Sequence, residues 1–183
     1  GIRDSVASCG LGDVYKRQPW DWWFYSEKVR KAQYDLDENI TKQYFQLENV
    51  CDGVFKAAEM LYGIKIEPVK GLPVYNPEVE TFKVFDADNS LLGIFLTDYL
   101  PRSTKRGGAW MNNFREQYVD ASGKDIRPIV VNVCNFGQPE DTVKLLTIDE
   151  VQTAFHEFGH ALHGLLTKCH YVDVSGTSVA RDF

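Results

Sequence analysis

The sequence lacks several features that would place a protein in a broad class. No apolar run approaches the length of a membrane-spanning helix, and the start shows no basic-then-apolar signal pattern. The four cysteines include no C-x-x-C pair, which argues against a disulfide scaffold and favours free thiols. A net charge of -6 gives no electrostatic reason to expect nucleic acid or an anionic membrane as a partner.

Histidine and methionine are scarce, and their positions are uneven. All four histidines fall between His156 and His170, and neither of the two methionines stands near the start. The first 18 residues, "GIRDSVASCGLGDVYKRQ", have no clear periodicity and are rich in Gly and Ser. We therefore expect residues 1–18 to be a non-native or disordered leader, residues 19–183 to be the part that folds, and the chain to be a piece of a longer protein.

The folding part combines helical and extended patterns. Hydrophobic residues make up 44% of the chain, which is enough to bury a core. Apolar spacings of three and four give way to alternating, β-rich runs and then return near the end. The patterns predict an α+β, mainly helical fold, with helices over 19–36 and 37–63, a hairpin over 72–86 and 91–100, and strands within 105–114 and 127–136.

The last predicted helix has a clear start. In "TIDE", Thr147 and Glu150 have the spacing of a capping box, in which each side chain satisfies a backbone N–H of the first turn. Apolar residues then recur at helical spacing, as in Val151, Ala154 and Phe158. This helix carries "FHEFGH".

Within that helix, His156, Glu157 and His160 form the pattern H-E-x-x-H. Imidazoles four residues apart on a helix lie one above the other and can converge on a zinc ion. Glu157 can then face a water at the metal and act as general base, while zinc lowers the pKa of that water to about 7 and polarises the scissile carbonyl. The alternative is that all three are ordinary residues of an amphipathic helix.

A catalytic zinc needs a third protein ligand. His163 lies a turn beyond His160, and we expect it to support the site or pack rather than bind the metal. No Glu follows Glu157, and the spacing of a third His ligand used by metzincins is absent. The third ligand is therefore expected either beyond Phe183 or among the later candidates, which are His170, Asp173 and Asp182.

The motif and its surroundings resemble the M3 family of zinc metallopeptidases. The resemblance rests on "FHEFGHALHG" and "SGTSVARDF", and it extends through "PWDWWFY", "LPVYNPEVETFKVFD", "TKRGGAW" and "VVNVCNF". It covers residues 19–183, and "RGGAW" and "NVCNF" are closer to the peptidyl-dipeptidase branch than to the oligopeptidase A branch. The resemblance implies part of a zincin-type catalytic domain, truncated at both ends, with a small β-sheet beside the H-E-x-x-H helix.

The resemblance also implies roles for the residues of this helix. His156 and His160 are the implied zinc ligands and Glu157 the implied base, and the third ligand is a Glu expected two positions past Phe183. Gln152 stands where some relatives have a Glu that orients the first His, and it could hydrogen-bond that ring without adding charge.

Other segments resemble parts of the family's cleft. "VNVCNF" is similar to a strand along which an extended substrate can add its backbone, so its candidate substrate residues are Val133, Cys134 and Asn135. "KRGGAW" is similar to a hairpin near the cleft and adds Gly107 and Gly108. The strand can equally be purely structural, and the glycines can simply shape a turn.

The segment "SGTSVARDF" resembles the family's approach to the third ligand. Ser175 and Asp182 are candidates to brace that ligand's loop, and a plain helix-entry role is an equal alternative.

Together these inferences predict a peptidase that binds one zinc ion and oligopeptide substrates. We expect release of C-terminal dipeptides by a monomer in the cytoplasm, the family's common location, with no nucleic acid or membrane partner. The chain by itself is expected to be inactive, because its third ligand and oxyanion donors would lie outside it. The alternatives are an oligopeptidase A-like endopeptidase and a zinc-free, non-catalytic structural module.

Overall fold

A computed structural model describes residues 19–34, 38–137 and 143–180, so the predicted leader, residues 1–18, lies outside the described residues. The chain divides into two compact units, Gly1–Thr41 and Lys42–Phe183. The first contains helix α1 (Pro19–Tyr34), as predicted, and the short helix α2 (Glu38–Thr41). Within the described ranges, no helix combines the length and apolarity needed to cross a membrane.

The helix predicted over 37–63 is interrupted. After α2, a 3-10 turn (Lys42–Tyr44) leads to helix α3 (Leu47–Tyr62). Between the turn and α3, the backbone pairs with a distant segment: Leu146 N–H donates to the Phe45 carbonyl and Leu47 N–H to the Lys144 carbonyl, both at 2.8 Å. These hydrogen bonds need an extended backbone, so the single long helix predicted from the apolar spacing is wrong.

The predicted end of α3 is confirmed. Gly63 adopts φ +69, and its N–H donates to the Glu59 carbonyl at 2.9 Å. A positive φ costs a glycine little, which is why this residue suits the last turn.

A mixed five-stranded sheet forms the centre of the second unit, with the order β1-β2-β3-β7-β4. All neighbouring pairs are antiparallel except β3 and β7, which are parallel. A separate two-stranded sheet pairs β5 with β6. The strands are β1 (Lys65–Pro68), β2 (Glu80–Phe85), β3 (Leu91–Asp98), β4 (Trp110–Arg115), β5 (Tyr118–Val119), β6 (Asp125–Ile126) and β7 (Ile129–Val133).

The sequence predicted the larger strands correctly and missed the short ones. The hairpin β2–β3, the strand β4 and the strand β7 are confirmed. Residues 72–79, predicted as part of the hairpin, form no strand. Strands β1, β5 and β6 have two to four residues each, too few for a period-2 pattern to be visible.

Helix α4 (Ile148–Leu166) packs across β3, β7 and β4 and also contacts α3. Its predicted capping box is confirmed: Glu150 N–H donates to Thr147 Oγ1 at 3.1 Å, and Thr147 N–H donates to Glu150 Oε2 at 2.8 Å. Buried aromatic rings join the helices to the sheet, with Phe158 and Phe95 centroids 5.3 Å apart. This packing fixes which face of α4 is buried.

The contact between α4 and β3 depends on Gly93, and we predict the effect of adding a side chain at this position. A Cβ at Gly93 would stand 2.8 Å from Leu165 Cδ2 and 2.9 Å from the Pro128 carbonyl oxygen. Because the carbonyl is backbone and cannot turn away, Gly93→Ala should lower the free energy of unfolding by about 1–3 kcal/mol. Urea denaturation would measure the change.

Gly53→Ala is the matched control. Gly53 lies within α3, and a Cβ there would meet nothing within 4 Å. Alanine in a helix interior is better than glycine by roughly 0.5–1 kcal/mol, so this variant should be more stable. Equal effects of the two substitutions would contradict the packing of α4 on β3.

Candidate metal and peptide site

The two histidines of the H-E-x-x-H motif lie on the exposed side of α4 and converge. Their Nε2 atoms are 3.1 Å apart, and their rings meet edge to face with centroids 4.7 Å apart. Two imidazole nitrogens bound tetrahedrally to one zinc at about 2.0–2.1 Å would be separated by about 3.3 Å. His156 and His160 therefore already have nearly the spacing that a shared metal ion requires.

Glu157, which follows His156 directly on α4, is buried, with only 7% of its surface exposed. Its Oε2 atom is buried and has no hydrogen-bond partner among the residues that the structure describes. Its charge acts on Cys134, whose thiol pKa is raised to about 12 by burial and then by Glu157. A buried carboxylate oxygen without a partner is costly in a structural role, because its lost hydration is not replaced.

A complete ligand set is not found in the part of the chain that the structure describes. There, no group of three or more His, Cys, Asp or Glu side chains could hold a metal ion. His170 stacks edge to face on Tyr171, with centroids 4.8 Å apart, and Asp173 is exposed. Neither completes the pair formed by His156 and His160, and Asp182 lies outside the described residues.

The predicted supporting residues divide by exposure. Gln152 and His163 lie on the exposed surface of α4, as do the two histidines of the motif. Ser175 is fully buried, and its hydroxyl has no hydrogen-bond partner among the described residues. Gln152 and His163 therefore share the exposed side of the helix with the histidine rings. The supporting roles of both residues stay predictions.

Strand β7 is not free to receive a substrate strand. It lies between β3 and β4, and Val133 pairs with Asp98 on one side and with Trp110 on the other. The N–H of Cys134 donates to the Asp98 carbonyl at 2.9 Å, and Cys134 is completely buried. Strand addition at Val133 and Cys134, predicted from the sequence, therefore does not fit this sheet.

The outer strand on this side of the sheet is β4, which begins just after the predicted glycines. Among the described residues, only β7 pairs with β4, so the other edge of β4 has no strand beside it. Gly107 and Gly108 are exposed, and Gly108 adopts φ +100, a conformation that suits glycine. The site therefore has an open strand edge beside the helix that carries the histidines.

Asn135 links the end of β7 to this edge. Its Nδ2 donates to the Arg106 carbonyl at 3.0 Å and to the Gly108 carbonyl at 2.8 Å. Both amide hydrogens are thus occupied by the chain's own backbone. The side-chain amide of Asn135, a candidate substrate residue from the sequence, is thus used in contacts within the protein.

Sequence reasoning missed a buried ionic cluster at the end of β3. The carboxylate of Asp98 accepts from Arg102 at 2.6 and 2.8 Å, from Tyr75 Oη at 2.8 Å and from Lys105 Nζ at 3.1 Å. Burial acts to raise the pKa of Asp98, but these three donors outweigh it, so the pKa is lowered. The only sequence signal was an aspartate at the end of an apolar strand.

Comparison with known proteins places these residues among peptidases. The sequence profile of Peptidase family M3 matches residues 3–183, a range that begins within the segment 1–18. The dipeptidyl carboxypeptidase of Escherichia coli is 44% identical over 171 residues, which are 92% of this chain and 25% of that protein. The oligopeptidase A of the same organism is 39% identical over 166 residues, 90% of this chain and 24% of that protein.

A plant protein is similar to the same extent. The organellar oligopeptidase A of Arabidopsis thaliana is 43% identical over 173 residues, 91% of this chain and 22% of that protein. The chain thus spans about a quarter of the length of the relatives it matches.

Proposed function

Because the chain belongs to peptidase family M3, a family of metallopeptidases, we propose that it forms the metal-binding core of a zinc-dependent oligopeptidase. The observation that carries this proposal is the approach of His156 Nε2 to His160 Nε2 at 3.1 Å, with the buried carboxylate of Glu157 on the same helix. We place the third zinc ligand in the family segment expected after Phe183, as the resemblance implies. When bound, zinc would act as a Lewis acid toward the scissile carbonyl and toward a water.

In this proposal Glu157 is the general base. Its unpartnered Oε2 would accept the proton of the attacking water and pass it to the leaving amine. The carboxylate is buried, and burial leaves it little freedom to move, which favours proton transfer at a fixed geometry.

The peptide is proposed to run along the open edge of β4. A peptide backbone added there would extend the sheet by one strand, with Gly107 and Gly108 at the point where the edge begins. Glycine leaves room for a second backbone to approach closely, since it has no side chain. This assignment moves the proposed peptide contact from β7 to β4.

The cleavage position is a further part of the proposal. One relative carries the name dipeptidyl carboxypeptidase and another the name oligopeptidase A. We favour release of C-terminal dipeptides on the comparison within Escherichia coli, where identity is 44% against 39%. The plant oligopeptidase A, at 43%, makes internal cleavage the second candidate. An N-terminally blocked tetrapeptide tests this with the full-length form of the protein, in which the chain is extended past Phe183 and to the length of its relatives. Release of the C-terminal dipeptide supports it, and cleavage only at internal bonds of longer peptides contradicts it.

We predict that the 183-residue chain binds zinc with micromolar or weaker affinity. Two converging histidines supply half of a tetrahedral shell, and a missing carboxylate removes both charge and geometry. Competition with a chromophoric chelator would measure the dissociation constant, with His160→Ala as the control that should abolish binding. A nanomolar site would show that Asp182 or another residue outside the described ranges completes the shell.

A further inference from the structure

The loop that leads into β4 is tied to the end of β7 at two points. At the first, Lys105 Nζ donates to the carbonyls of Asp98 at 2.8 Å and Leu100 at 2.9 Å, and also to the carbonyl of Cys134. The Lys105 side chain is only 4% exposed, and Asp98 compensates its charge. A buried ammonium held by a carboxylate and several carbonyls has little freedom to move.

The second point is the side chain of Asn135. Its amide donates to the carbonyls of Arg106 and Gly108, on either side of Gly107. After this loop, β4 begins to pair with β7, since Trp110 is the strand partner of Val133. The segment 105–110 is therefore held against the end of β7 from its first residue to the start of the strand.

This double attachment bears on how a peptide could bind at β4. A peptide strand would pair with the extended backbone of β4, and the turn before it, in which Gly108 adopts φ +100, must already be ordered, because any residue ordered at the moment of binding reduces the affinity. The two exposed glycines would by themselves leave this backbone free to take many conformations. Among the described residues, Asn135, just after β7, restricts them by donating to the carbonyls of Arg106 and Gly108. Lys105, at the start of the same loop, donates to the carbonyl of Cys134 and so ties the loop to the end of β7.

We propose that Asn135 and Lys105 are positioning residues that hold the start of β4 in the conformation that receives the peptide backbone. This inference rests on the proposed peptidase function and on the peptide's place beside β4. Neither residue touches the substrate in this arrangement. Asn135 acts through the Arg106 and Gly108 carbonyls, and Lys105 acts by fixing the Cys134 carbonyl.

The test uses Asn135→Ala, which removes both amide donors from a side chain near the surface. Amide exchange of the 183-residue chain, followed by mass spectrometry, should become at least about tenfold faster in 106–110 and stay unchanged in α4. Asn135→Asp, which keeps the size but loses the donors, should give the same result if the alanine variant folds poorly. Asn49→Ala, an exposed site on α3, is the control and should change neither region.

Kinetics separate positioning from a general structural role. In the protein extended past Phe183, Asn135→Ala should raise KM for the blocked tetrapeptide roughly tenfold, the factor expected for re-ordering about one residue on binding, with kcat nearly unchanged. A structural defect would instead lower kcat at constant KM by reducing the folded fraction. Unchanged exchange, or unchanged KM in an active enzyme, overturns the positioning role. No cleavage by the unsubstituted extended protein would instead reject the proposed peptidase function.

Discussion

Replacing Glu157 with Gln is expected to lower peptide hydrolysis by at least about 10²–10⁴-fold in the protein extended past Phe183, because positioned acid–base catalysis is typically worth that factor. Glutamine is nearly the same size as glutamate and should fit the same buried position, where the side chain is 7% exposed. Its amide cannot accept a proton at neutral pH. The fold and the two histidines should therefore persist while the reaction stops.

The measurement follows cleavage of the blocked tetrapeptide and bound zinc in the same samples. Glu157→Gln should keep its zinc, since the substitution leaves His156 and His160 in place. His160→Ala is the informative companion, because it removes one of the converging nitrogens and should lose both metal and activity. Near-normal turnover by Glu157→Gln would exclude Glu157 as the base.

Asp98→Ala is expected to have the largest effect on stability. The carboxylate is 2% exposed and holds Arg102, Tyr75 and Lys105 together. Removing it leaves the Lys105 ammonium, itself 4% exposed, without its negative partner. Breaking a buried pair in this way typically costs about 3–5 kcal/mol, because an uncompensated charge stays buried.

Urea unfolding at neutral pH would measure this loss. The control is Asp52→Ala at an exposed position, which should change stability by less than about 0.5 kcal/mol.

The stability contributed by Asp98 should depend on pH in a defined direction. The pKa of Asp98 is lowered in the folded chain, so its contribution is complete above the unfolded value of about 3.9 and is lost as the pH falls through the lower folded value.

The stability difference between the original chain and Asp98→Ala should accordingly shrink in acid below about pH 4. A neutral-pH loss under about 1 kcal/mol would contradict a buried role for this ionic cluster.

The local features of α4 could be predicted from the sequence. The capping box of Thr147 and Glu150 and the convergence of His156 with His160 both involve residues three or four positions apart. Helix geometry alone brings such residues together, whatever else the chain does. The sequence thus determined the chemistry that this helix offers, and the M3 resemblance followed from the same residues.

The neighbours of each strand were decided only by the tertiary structure. An apolar run such as "RPIVVNVCNF" looks the same in an edge strand and a central strand, so the enclosure of β7 by β3 and β4 could not be predicted. The same holds for Lys105 and Cys134, and for Leu47 and Lys144, whose contacts join residues far apart in the chain.

Such contacts form because folding must satisfy buried charges and backbone groups with whatever partners the topology brings close. Local periodicity carries no record of those partners. The sequence therefore determined that α4 presents two histidines and a glutamate, while the sheet order decided that the open edge beside them is β4, held in place by Lys105 and Asn135.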